Sequence, residues 1–257
     1  AGYCSLGVSI DAGRQAMEQA SLVVGEINPS APQTFGDTFV HINEFNLFVQ
    51  STEPMIYFDR WPVDDVDDQI GANIASMIED TSCLGFSIGP LYEAMSRYLV
   101  HKCHLGIHTP FFIDAVMDLV QSGAVTNRYK EVYRGKCLTS YAFGTPKLMQ
   151  WLDGNPLVEF QGTDKVFDPL QISRNPRYVA VLPARKVDLS GRIALHTGQG
   201  NVGSGPGEVF DFFYSALLSR GGRTIFALRS RNRRGEPNIH ASVRDFPNQF
   251  GLWESVN

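Results

Sequence analysis

No apolar run in the sequence approaches the roughly 20 residues that a membrane-spanning helix requires. No membrane span is therefore expected. The 4 cysteines, Cys4, Cys83, Cys103 and Cys137, include no CxxC pair. That leaves neither a disulfide framework nor a redox motif, and suggests free thiols in a reducing compartment. Metal-binding residue types crowd only at His101, Cys103, His104 and His108. Their spacings across a helix-to-strand junction seldom face one ion, so no metal is expected. An excess of basic charge is also missing. The formal net charge is -5, which argues against nucleic acid as a partner. The sequence shows no basic-then-apolar leader pattern, and a cytoplasmic setting is the expectation.

What is present is ordinary globular composition over 257 residues, 43% hydrophobic and 19% charged, enough for one large core or two modest ones. The organising stretch is 84–118. Leu84 to Ile88 reads as a short strand that Gly89 breaks, with Pro90 at the first helical position. Leu91, Ala94, Met95, Tyr98 and Leu99 then recur at helical spacing. Leu105 to His108 reads as a second strand, turning at Thr109-Pro110 into a helix that stops at Gly123. Strand-to-helix turns of this kind are where α/β folds gather their chemistry, because helix N–H groups and strand ends converge there.

The flanking segments follow the same alternation. A helix from about Asp11, with Asp11 as its cap, precedes a strand over Leu22 to Ile27. Residues 51–69 read as a linker broken by Pro54 and Pro62. Its acidic run, Asp64, Asp65, Asp67 and Asp68, suits a solvated helix start, and Ile70, Ile74, Met77 and Ile78 make a core stripe. Further on, Lys136 to Phe143 reads as one strand, Gly144-Thr145 opens a helix, and Leu157 to Phe160 is a strand. Tyr178 to Leu189 and Arg192 to Leu195 form a hairpin about Ser190-Gly191. A glycine-rich loop runs to Gly207, followed by a helix and a strand over Thr224 to Leu228. Phe210, Phe212, Phe213 and Tyr214 suit a buried helix. The alternation favours an α/β fold, an open and largely parallel sheet flanked by helices.

Four segments carry a family resemblance. The sequence IGANIASMIEDTSCLGFSIGPLYEAM, then GIHTPFFIDAVMDLVQSGAVTN, SYAFGTPKLMQWLDGNPLVEF and VDLSGRIA, resembles the second half of the acetyl-CoA hydrolase/transferase group. That group includes 4-hydroxybutyrate and butyrate–acetate CoA-transferases. The resemblance covers nearly the whole chain and implies a CoA-transferase-like fold. It makes 1–60 the tail of an N-terminal domain plus linker, and 61–257 all or part of the C-terminal domain. Asn28, Pro29, Pro32, Thr34, Gly36 and Asp37 match the family's first-domain tail, while Gln33 replaces an arginine. A protein partner or homo-oligomer supplying the rest of the first domain is then expected.

The resemblance also implies the site and its departures. The family nucleophile is the glutamate of an HTEM segment, and here that position is Pro110. Proline offers no nucleophile, no ionisable group and no backbone N–H, so the covalent glutamyl route is closed there. His108, Thr109 and Asp114 remain as catalytic candidates. His108 either bases a water or orients the turn, and Asp114 more readily caps its helix. Ser87, Gly89, Phe143, Gly144, Thr145, Gly203, Gly205 and Gly207 are the implied CoA contacts. Arg229, Arg231, Arg233 and Arg234 read either as a solvated loop or as partners of a phosphate or carboxylate.

Three functions are expected in turn. One is a diverged enzyme acting on an acyl thioester, an acyl-CoA or acyl carrier, without the glutamate. Another is a non-catalytic acyl-CoA-binding or scaffolding subunit. The third is a true transferase whose nucleophile comes from a partner chain. Coenzyme A enters in each as a thioester ligand.

Overall fold

The computed structural model describes residues 2–195, 209–244 and 249–251. The first part of the chain runs β1 (Tyr3–Ser5), α1 (Gly13–Gln19), β2 (Val24–Ile27), β3 (Phe35–Gly36), β4 (Phe39–His41) and β5 (Leu47–Gln50). Then come α2 (Asp65–Met77), β6 (Cys83–Gly85), α3 (Pro90–Leu99), β7 (Gly106–Ile107), β8 (Phe111–Phe112) and α4 (Asp114–Gln121). β9 (Cys137–Thr139), β10 (Tyr141–Ala142), α5 (Pro146–Leu152), β11 (Val158–Phe160), α6 (Thr163–Val166), α7 (Pro169–Ser173) and β12 (Tyr178–Pro183) follow. The last elements are β13 (Lys186–Asp188), β14 (Arg192–Ala194), α8 (Val209–Leu218), β15 (Arg223–Ala227), β16 (Ile239–His240) and β17 (Gln249–Gly251).

Strands β15, β12, β6 and β7 lie side by side in that order, all parallel. A parallel bridge between His108 and Leu138 carries the sheet on to β9, β11 and β3, again parallel. β12 shows why the layers form. Tyr178, Ala180 and Leu182 pack with Phe212, Phe213 and Ile172 on one face, and Val179 and Val181 pack with Ile74, Met95 and Leu99 on the other. Side chains alternate across a strand, so an all-apolar strand buries both faces between helices. The expected open parallel α/β sheet is what the chain forms.

Several local expectations are corrected. Asp11 does not cap α1, whose cap residue is Ala12 with no side-chain hydrogen bond. Lys136 to Phe143 is two strands in two sheets, because Ser140 and Tyr141 both turn their N–H groups to the Pro110 carbonyl, at 3.2 and 2.9 Å. Tyr178 to Leu189 also divides. Ala184 donates to Ala227 in the parallel sheet and Arg185 to Ala194 in the hairpin sheet, so the chain changes sheets between them. The turn after Pro110 reaches its helix only through β8. Among the helix aromatics, Phe212 and Phe213 are buried while Phe210 and Tyr214 are exposed. The acidic run is not merely solvated: Asp64 caps α2 by accepting from Asp67 N, and both Asp64 and Asp67 pair with Arg229 at 2.7 and 2.6 Å.

β3 edges the main sheet through Gly36, whose φ is +119°. A Cβ there would run into the Phe160 carbonyl. Gly36→Ala is therefore expected to destabilise the chain by about 2 kcal/mol or more in urea unfolding. Gly13→Ala, where a Cβ meets nothing within 4 Å, should change stability little.

Candidate functional site

Three turns leave the sheet at its carboxyl edge and are tied to one another. Thr109 Oγ1 donates to the Phe86 carbonyl and accepts from Phe86 N at 3.0 Å. The Pro110 carbonyl accepts from Thr139 Oγ1 at 3.0 Å as well as from Ser140 and Tyr141. Asp114, 3% exposed, accepts from Thr145 Oγ1 at 2.6 Å and from Thr145 N at 3.0 Å. Phe86, Thr109, Pro110, Asp114 and Phe143 to Thr145 thus belong to one hydrogen-bonded cluster of turns, while Ser87 and Gly89 follow Phe86 in sequence without a bond to the other turns among the described residues.

Asp114 does not cap its own helix. The cap residue of α4 is Ile113, without a side-chain hydrogen bond. Instead the Asp114 carboxylate orients Thr145, which in turn caps α5 by accepting from Leu148 N at 3.3 Å. Gly144 lacks a side chain because a Cβ would meet the Asp114 carboxylate.

His108 is fully buried. Its Nε2 lies 3.0 Å from the Val166 carbonyl, so that nitrogen carries the proton and donates, and Nδ1 accepts from Asn175 Nδ2 at 3.3 Å. Burial, helped by the Lys130 ammonium, depresses its pKa to about 3. Both nitrogens are engaged in a dry setting, which is an orienting geometry. Thr109 is equally buried and spends its hydroxyl on Phe86.

Around Pro110 stands an aromatic rim. Phe111 stacks on Tyr141 at 5.5 Å, Tyr141 on Phe143 at 6.2 Å, and Phe58 meets Phe143 edge-on at 5.4 Å. Burial and a hydrogen bond to the Asp11 carboxylate push the Tyr141 phenol well above its usual range. Arg60 anchors the 51–64 segment beside this rim, at 2.6 Å from both Glu93 and Asp118. Burial raises the Glu93 carboxyl against the opposing pull of Arg60. Glu93 Oε1 and Ser140 Oγ are buried without hydrogen-bond partners.

A crevice of about 660 Å³ opens beyond the carboxyl ends of β12 and β15. Gly89 and Pro90 line it at the start of α3, together with Arg185, Lys186, Arg229 and Arg233. Gly89 has φ 125° and gives α3 no side-chain cap; Pro90 carries no N–H and Tyr92 and Glu93 donate to the Gly89 carbonyl, so the Leu91 N–H is the donor that the first turn leaves open among the described residues. Arg229 is spent on Asp64 and Asp67, whereas the guanidiniums of exposed Arg185 and Arg233 make no hydrogen bond or ion pair among the described residues. Of the sequence-predicted cluster, Arg229 and Arg233 line the crevice, and Arg231 instead donates to Gly235 O. Gly203, Gly205 and Gly207 lie outside the described residues. Arg185, Lys186, Glu93 and Ser140 were not singled out by the sequence. A basic pair directly after an apolar strand is the signal that would have found the first two. No group of three His, Cys, Asp or Glu among the described residues is placed to hold a metal.

The parallel α/β fold is CoA-transferase-like. Residues 144–250 match the acetyl-CoA hydrolase/transferase C-terminal domain, and the chain is homologous to the C-terminal half of 4-hydroxybutyrate and butyryl CoA-transferases. It is 37% identical over 235 residues to the 4-hydroxybutyrate coenzyme A transferase of Clostridium kluyveri, covering 91% of this chain and 55% of that protein. It is 34% identical over 241 residues to a succinyl-CoA:acetate/propanoyl-CoA:succinate CoA transferase of Fasciola hepatica, covering 93% and 50%. The crystal structure of a 4-hydroxybutyrate CoA-transferase from Porphyromonas gingivalis superposes with a TM-score of 0.84 at 32% identity, covering 95% of this chain and 59% of that one. The chain spans about half the length of the curated relatives it matches.

Two predictions follow from this geometry. Because folded His108 titrates near 3 and an unfolded histidine near 6.5, unfolding takes up a proton between those values. Stability should therefore fall as pH drops below about 6.5, by about 1.4 kcal/mol per pH unit from this residue. His108→Gln should remove that slope in pH-dependent urea titrations. Asp114→Ala should cost about 2 kcal/mol or more by stranding Thr145 N–H, with Asp114→Asn costing less.

Proposed function

We propose that this chain binds an acyl-CoA thioester in the carboxyl-edge crevice and supplies one half of a CoA-transferase-like site. The observation that carries this reading is the crevice itself. An uncapped helix start and the free guanidiniums of Arg185 and Arg233 face one cavity, a setting suited to the phosphates of coenzyme A. The half-buried aromatic rim beside Pro110 gives an apolar place for the acyl end.

His108, Thr109 and Asp114 are each committed to holding turns in place, and Pro110 has no reacting atom. These observations favour a nucleophile or activated water supplied from outside the turn cluster over one of these three residues acting directly. The parallel ribbon β2–β5 favours a partner or a second copy as that source. Leu22, Val24, Leu47, Phe48 and Val49 on or beside it are all exposed, and parallel strands are normally covered on both faces. A binding subunit without catalysis of its own remains the second reading, favoured by the same committed side chains.

Calorimetric titration of the full chain with CoA and acetyl-CoA tests the proposal. Saturable binding, weakened about tenfold by either Arg185→Ala or Arg233→Ala, is expected. Absence of binding up to the millimolar range would overturn it. Thioester hydrolysis assayed on the same preparations separates the two readings.

A further inference from the structure

We propose that the cavity at the amino ends of β6, β12 and β15 is a second ligand site, for a small multivalent oxyanion. It lies at the opposite edge of the sheet from the crevice and does not rest on the CoA reading. The cavity measures about 360 Å³, and Glu79, Ser82, Arg177, Gly222 and Arg223 are among its lining residues.

Two guanidiniums, from Arg177 just before β12 and Arg223 at the start of β15, share one carboxylate there. Arg177 lies 3.7 Å and Arg223 3.5 Å from Glu79. Charge-assisted contacts of this kind usually close to about 2.7–2.9 Å, and Arg60–Glu93 and Arg229–Asp67 close to 2.6 Å in this chain. The Glu79 side chain is 60% exposed, so it is free to swing away. The other contacts are also long. Arg177 Nη1 donates to Asp80 O at 3.3 Å and Thr81 Oγ1 at 3.2 Å, and Arg223 Nη1 donates to Met77 O at 3.3 Å.

Ser82 lines the same cavity, is 2% exposed, and its hydroxyl has no hydrogen-bond partner among the described residues. Gly221 and Gly222 add no side chain to the wall. The constellation is two planar forks, one spare hydroxyl and a net charge of one cation. It suits an oxyanion with several acceptor oxygens, a phosphate or a short dicarboxylate, which would replace Glu79 between the arginines. α2 connects the two edges: its first turn holds Arg229 in the crevice, and its last residue, Met77, gives its carbonyl to Arg223.

Inorganic phosphate and malonate, each titrated calorimetrically into the full chain, distinguish the two sources of this chemistry. Saturable binding of at least one is expected. Arg177→Ala and Arg223→Ala should each weaken it about tenfold. Glu79→Gln should tighten it several-fold, because the competing charge is gone while both arginines stay. Circular dichroism checks that the arginine variants fold, and Glu79→Gln tests the site without removing either cation. The proposal is overturned if neither anion saturates the parent chain or Glu79→Gln at tens of millimolar. Unchanged affinity in a folded Arg177→Ala, Arg223→Ala double variant would overturn it as well.

Discussion

Among the described residues, one parallel backbone bridge, His108 to Leu138, joins the β15-β12-β6-β7 sheet to the β9-β11-β3 sheet. Everything at the carboxyl edge depends on the two halves keeping their register there. The imidazole that guards the bridge must remain neutral, since a charged ring would sit in a dry interior beside Lys130. Lys130 is itself buried, and its ammonium is held by the Ile107 and Lys136 carbonyls at 2.7 Å each. One cation is held by two carbonyls, and burial, helped by that cation, keeps the neighbouring imidazole uncharged. The seam is electrostatic as well as steric.

Next along the chain, Pro110 is a structural hub. Its ring offers no reactive group, and its carbonyl gathers three donors from the 139–141 segment. That gathering splits the expected 136–143 strand, sends Tyr141 and Phe143 to the rim, and frees β10 to pair with β8. A residue without a reactive group thus sits at a dense backbone junction beside an aromatic surface.

The parallel sheet, the Gly89-Pro90 helix start and the helix opening at Gly144-Thr145 were legible in the sequence. Each depends on local chemistry: an apolar run, a residue tolerating positive φ, a turn before a helical apolar pattern. Less legible was whatever is decided by distant partners. Asp114 looked like a cap for its own helix, yet it serves Thr145, 31 residues away. His108 left two roles open until Val166 and Asn175 engaged both of its nitrogens. The strand breaks at Ser140 and at Ala184–Arg185 arise from competition between sheets for the same N–H groups, which has no signature within either run. Arg185 escaped notice because its place in the crevice depends on that change of sheet.

The bare β2–β5 ribbon has a consequence for temperature. Its exposed leucine, valine and phenylalanine side chains order water that any covering surface would release. Association through this face would carry a negative heat-capacity change and would draw its strength from solvent entropy near room temperature. Such a contact weakens on cooling, so an assembly built on this ribbon would loosen in the cold, while the hydrogen-bonded turns at the carboxyl edge do not share that dependence.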